Sequence, residues 1–171
     1  MLFRSLKLAG FNTTQIGFLW AVGVIAEIMM FNYANFFLSR FSWRSLVALC
    51  LVMTSIRFIL AGLFSESFLL QFISQSFHAF SFGLFHIIAM RVILQNFAAQ
   101  QQGRGQALYS TMWGLGVASG SILAGHYWEQ LTGAYIFIIA GLSALFGILL
   151  ILLFKMKIIQ NYIMMPMEMI I

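Results

Sequence analysis

Glu27, Arg57 and His78 each sit near the middle of a run of residues otherwise apolar enough to cross a membrane, and His86 follows in the same run as His78. Ionisable groups at that depth are costly to desolvate, and where they occur they mark paths for ions, protons or polar solutes. The types suit such a path. A carboxylate and an imidazole can exchange a proton near neutral pH, and a guanidinium can hold a carboxylate through paired N–H donors. Helical spacing puts Trp20, Gly23, Glu27, Met30 and Ala34 on one side of the first run, and Cys50, Thr54, Arg57 and Ala61 on one side of the second. In the third run Gln71, Gln75, His78 and Phe82 form a stripe, with His86 two turns beyond His78. At ~1.5 Å per residue, Glu27, Arg57 and His78 all fall within about 7 Å of the midplane, with His86 ~8 Å to one side. The groups could therefore meet.

Each residue also has a plainer reading. Glu27 and Arg57 could form a static ion pair that clamps two helices, since each partly offsets the desolvation of the other. His78, Gln71 and Gln75 could line a path or simply bond across helices, and His86 leans towards the structural role. Trp20 is either an aromatic platform for a ligand or a packing residue.

The elements that must position these groups follow from composition. The chain of 171 residues is 62% hydrophobic and only 8% charged, with a mean hydropathy of +0.96, too little polar surface to cover a body in water. We expect an all-α, polytopic membrane helix bundle with five transmembrane helices at 14–37, 45–63, 68–93, 107–127 and 134–154. Each has about the 20 residues that a hydrocarbon core requires. The links are short and polar, so consecutive helices are expected to be antiparallel neighbours. Cys50 is the sole cysteine and falls in an apolar run, which leaves no disulfide framework and no cysteine-rich metal site. There is no His-Glu-x-x-His spacing and no Gly-x-Ser-x-Gly turn, so neither an intramembrane enzyme nor a metal or other cofactor is expected. The net charge of +5 comes from cations beside the apolar runs, a pattern that suits membrane orientation better than nucleic-acid binding.

Arg40, Arg44, Arg91, Arg104, Lys155 and Lys157 fall on one side, against Arg4 and Lys7 with Glu66 and Glu129 on the other. The first side is expected to be cytoplasmic. That places residues 1–13 outside as an extracytoplasmic segment, and residues 155–171 inside as a cytoplasmic tail, in the inner (plasma) membrane of a bacterium. A start outside with no short apolar leader and cleavage site reads as a chain lacking an upstream helix. The apolar, methionine-rich end at 158–171, interrupted by Pro166, is too short to span and is given no function. In the fourth run, Gly116-x-x-x-Gly120 and Ser121-x-x-x-Gly125 are spacings that let helix backbones approach closely, so Gly116, Gly120 and Gly125 are read as helix-packing residues.

Three segments carry a family likeness: Gly17-Phe18-Leu19-Trp20-Ala21-Val22-Gly23-Val24-Ile25-Ala26-Glu27, His86-Ile87-Ile88-Ala89-Met90-Arg91 and Gly103-Arg104-Gly105-Gln106-Ala107-Leu108-Tyr109-Ser110. Over roughly Leu6 to Phe154 the chain resembles the carboxyl-terminal half of the phenylpropionate permease family in the major facilitator superfamily. It is more distantly similar to lactose permease, whose glutamate, Ser-x-Arg arginine and Leu/Phe-His-x-Phe histidine match Glu27, Ser55-Ile56-Arg57 and Phe77-His78-Ala79-Phe80. The resemblance implies a twelve-helix transporter in which the five runs are helices eight to twelve, helices one to seven are absent, and a separate amino-terminal half is a possible partner. Where lactose permease has a proton-carrying glutamate three residues after its histidine, this chain has Ser81. Any proton would then be carried by Glu27 or a histidine. The function implied is the carboxyl-terminal part of a proton-coupled importer of a small organic solute such as an aromatic carboxylate. A sugar or nucleoside symporter, or a helix bundle acting only as remnant or assembly partner, stands as the alternative.

Overall fold

The computed structural model describes residues 1–153; the expected ends at Phe154, Lys155 and Lys157 and the tail at 155–171 lie outside the described residues. Helix starts follow from local caps. Asn12 accepts the backbone N–H of Gln15 at 2.8 Å while Gln15 returns its side-chain oxygen to the Asn12 N–H at 2.9 Å, a reciprocal box that opens α2, Thr13–Arg40. Ser42 caps α3, Trp43–Leu63, through the N–H of Ser45, and Ser67 caps α4, Phe68–Ser76, through that of Leu70. Ahead of them lies α1, Leu2–Leu8, in the stretch read as a plain leading segment. Its Leu6 is fully buried against Phe11, Ile16 and Leu19, and its Arg4 reaches Glu129 at 3.3 Å. Both charges of that pair are exposed, so packing, not the pair, holds α1 in place.

The third span is not one regular helix. After α4 the backbone widens into a π-helical stretch at Ala79–Leu84 and returns to α-helix as α5, Phe85–Asn96. A 3-10 turn at Ala99–Gln101 leads into α6, Gln102–His126, and α7 runs Gly133–Leu153. The polar run from Gln100 to Gly103, expected in a loop, is largely helical, because polarity at the bilayer edge does not oblige a helix to stop.

Four helical stretches among the described residues are long and apolar enough to span: α2, α3, the broken Phe68–Asn96 and α7. Four of the five expected spans are thus shown by length and composition, and α6 is not among them. The run at 107–127 forms the core of α6, but Gln102, Arg104, Gln106 and its glycines and serines leave it less apolar than the rest. The large side chains facing outward, among them Val24, Ile25, Ile28, Ile139 and Leu142, suit a lipid solvent.

Packing also departs from sequence order. The tightest partner of α2 is the broken third span, which runs parallel to it, while α3 packs along its length against α7 and antiparallel to it. Consecutive α6 and α7 hardly touch. The α3–α7 seam depends on glycine: a Cβ on Gly62 would lie 2.8 Å from the Ala134 carbonyl oxygen, and one on Gly141 3.1 Å from that of Ser55. With no hydrophobic drive between helices in lipid, such close backbone approach supplies the dispersion contacts that hold the pair.

Candidate functional site

Two glycines let α2 and the third span approach around the ionisable residues. Gly23 faces Gln75 and the Cβ of His78, and Gly83 faces the Cγ of Glu27, where an added Cβ would lie 3.1 Å away. Between these contacts His78 Nε2 stands 3.8 Å from Glu27 Oε2, with side chains only 26% and 16% exposed. That separation is an ion-pair distance and not a direct hydrogen bond. The other ring nitrogen, Nδ1, is buried without a hydrogen-bond partner. A buried imidazole with one unfilled position, beside a carboxylate, is equipped to take a further polar group or pass a proton.

Arg57 is placed differently. Its Nη1 donates to the Ser81 hydroxyl at 2.9 Å, inside the π-helical stretch, and its guanidinium lies 5.5 Å from the ring of Phe58. Among the described residues no ion pair within 4.0 Å joins Arg57 to Glu27. In place of the Glu27–Arg57 pair that stood as the plainer reading, there are two neighbouring pairs, Glu27 with His78 and Arg57 with Ser81, both resting on the third span. Ser81 was visible in the sequence only as a departure from a family pattern; its reach to Arg57 depends on the widened backbone, which periodicity at 3.6 residues per turn does not reveal.

The remaining candidates divide. Gln71 is fully buried, and its amide donates to the carbonyl oxygens of Phe64 at 3.0 Å and Ala61 at 3.4 Å, a bond across helices. Gln75 is buried beside Gly23. His86 bonds through Nδ1 to the Phe82 carbonyl at 3.0 Å and sits within aromatic neighbours: Phe82 at 4.2 Å, Trp113 at 4.6 Å and Tyr109 at 5.5 Å between ring centroids. Phe82 lies between the two imidazoles, with His78 at 5.2 Å, so the spacing of four persists through the π turn. Trp113 and Tyr109 escaped the sequence reading because α6 carries no clear apolar stripe. Trp20 lies away from the pair: it is 53% exposed and meets Phe3 edge-on at 6.5 Å.

The glycines read as packing residues find no neighbour among the described residues. A Cβ on Gly116, Gly120 or Gly125 would meet nothing within 4 Å. Within the described residues, neighbours within 4 Å fall instead to Gly23, Gly62, Gly83, Gly105, Gly133, Gly141 and Gly147, whose spacing carries no repeated motif. No cluster of three or more His, Cys, Asp or Glu able to hold a metal ion occurs among the described residues.

Comparison with known proteins fits this arrangement. Residues 2–139 match the MFS_1 like family. A curated protein of Escherichia coli (strain K12), the "Probable 3-phenylpropionic acid transporter", is 30% identical over 142 residues, which make up 80% of this chain and 36% of that protein. The chain therefore spans about a third of the length of the curated relative it matches. No solved structure matches it. A multi-pass bundle whose polar groups meet between helices, matched by this family over most of its length, has one identification: the chain belongs to the MFS_1 like family, a transport family and not one of enzymes, and is related at modest identity to the phenylpropionic acid permeases.

Proposed function

We propose that this chain forms the carboxyl-terminal part of a secondary transporter of the inner membrane that takes up a small organic solute together with a proton. The observation that carries the reading is the buried Glu27–His78 pair at 3.8 Å with the His78 Nδ1 left unfilled. In this reading α2, α3, the broken span, α6 and α7 stand for helices eight to twelve of the twelve-helix fold, with α6 counted as a span although it is the least apolar. Glu27 binds and releases the proton, and His78 shares it. Arg57 offers its guanidinium to a substrate carboxylate, with Ser81 holding it in wait. An aromatic acid is favoured as solute because the relative is named for one and because the rings of Phe58 and Phe82 flank Arg57 and His78. A sugar or nucleoside would have to use the same groups as hydrogen-bond partners, without a carboxylate for Arg57.

Alternating access requires a second set of helices to rock against this one. The open glycine face of α6 supports an amino-terminal half as that partner, because nothing among the described residues covers it. The test is uptake of labelled 3-phenylpropionate into vesicles carrying this chain with the amino-terminal helices of a homologous permease. Uptake driven by an inward proton gradient, lost in Glu27→Gln while exchange of solute persists, is the expected result. Undiminished uphill uptake in Glu27→Gln would remove Glu27 from the proton path.

A further inference from the structure

The strongest unassigned feature lies at the end of the bundle where α2 meets α3 and α5 meets α6. Arg40, Arg44, Arg91 and Arg104 collect there, whereas the acids among the described residues, Glu27, Glu66 and Glu129, lie in mid-span or at the opposite end. Two cavities open at this end and share Trp43, Ile88 and Val92 as a common wall. The smaller, of about 170 Å³, is bordered by Arg91 and Gln95. The larger, of about 350 Å³, continues between α3, α5 and α6 and is walled by Val47, Leu108 and Met112 among other apolar groups.

We propose that these two adjoining cavities hold one anionic phospholipid, with its phosphate at Arg91 and Arg44 and an acyl chain in the apolar arm. Charge complementarity selects the occupant. The Arg91 guanidinium is anchored by a single bond, Nη1 to the Leu38 carbonyl at 3.1 Å, so its remaining N–H groups have no acceptor among the described residues. Arg44 lies 5.3 Å from the ring of Trp43, so a second cation flanks the shared wall. Unbalanced arginines at a bilayer edge attract anionic lipid, and basic pockets between helices are suited to its head group. A polar feature inside the apolar arm points the same way. Tyr109 lines it, and its hydroxyl is buried with no hydrogen-bond partner. Tyr109 lies seven residues into α6 and Arg91 five residues from the end of α5, roughly 10 and 7 Å along their helices. By this count Tyr109 lies on α6 about half a turn further from the helix end than Arg91 does on α5, and an ester carbonyl in the apolar arm would accept the proton of its hydroxyl. The indole of Trp43 adds the amphipathic ring typical of this level.

The experiment is native mass spectrometry of the full chain in detergent, titrated with phosphatidylglycerol and with phosphatidylcholine of the same acyl chains. Tighter retention of the first lipid at a stoichiometry of one is expected, with the preference weakened roughly fivefold by Arg44→Gln and again by Arg91→Gln. Arg4→Gln, at the opposite end, should leave it unchanged. Should Arg91→Gln fail to fold, Met112→Trp fills the apolar arm without touching charge and should lower retention of both lipids together. Equal retention of the two lipids by the wild-type chain would overturn the proposal, as would a preference that survives Arg44→Gln together with retention that Met112→Trp leaves unchanged.

Discussion

The seams beside α3 and the third span and the far half of α6 are built from similar residues to opposite ends. Along the seams, glycine lets backbones touch: Gly62 and Gly141 join α3 to α7, while Gly23 and Gly83 bring α2 against the third span. Along α6, Gly114, Gly116, Gly120 and Gly125 face open space, with Leu115, Val117, Ile122 and Leu123 exposed around them. The near half of α6 is packed, through Gly105 against Ile93 and Phe97 and through Trp113 against His86, whereas in the far half, among the described residues, Ala124 alone packs against a core cluster, that of Ala61, Trp128, Ile136 and Phe137. Small residues therefore permit contact without specifying it. The polar residues of the proposed pathway lie on the packed side of this divide, where helix positions are fixed, and no described residue covers the glycines of the open side.

Substitutions that fill space should separate the two regions most sharply. Gly62→Val places its added carbons against the Ala134 backbone and Phe137, and should destabilise the bundle by about 3 kcal/mol or more in a denaturation titration in bicelles. A loss below about 1 kcal/mol would mean that α7 slides freely on α3. A smaller effect, about 2 kcal/mol, is expected for Ser81→Ala, which leaves the Arg57 guanidinium short of an acceptor in a partly buried site. Restoration by Ser81→Thr in the same titration would tie the effect to the hydroxyl. The least change is expected for Gly120→Leu, within ~0.5 kcal/mol for this chain alone, because nothing stands in the way of the new side chain. The same substitution should reduce co-purification with an amino-terminal permease half; unimpaired pairing would show that the open face of α6 is not where those helices dock.

The same division explains what could be read from the residues. The all-α membrane character and the positions of Glu27, Arg57 and His78 were legible because composition and long apolar runs record the solvent directly. The caps at Asn12, Ser42 and Ser67 were not read from the sequence, although a cap is a local signal. Pairing was not legible. Short links suggested sequential neighbours, yet α2 packs on a parallel third span and α7 on α3, because in lipid any apolar face is acceptable and shape decides. Glu27 pairs with His78 and Arg57 with Ser81, and Ser81 lies in a π-helical stretch that leaves no mark in a sequence read at α-helical period. The glycine motif of α6 was the clearest in the chain and packs nothing here, while the working glycines carry no motif.

The central claim is that Glu27 and His78 act as one proton-handling unit, and a double-mutant cycle tests it most directly. Uphill solute accumulation would be measured for Glu27→Gln, His78→Asn and the double variant, in vesicles containing the amino-terminal helices of a homologous permease, with expression and solute exchange as controls. If the pair is one unit, the double variant should be no worse than the more damaging single variant, since either change already breaks it. Losses that multiply, or full accumulation in both single variants, would contradict the account and leave the pair as a clamp between α2 and the third span.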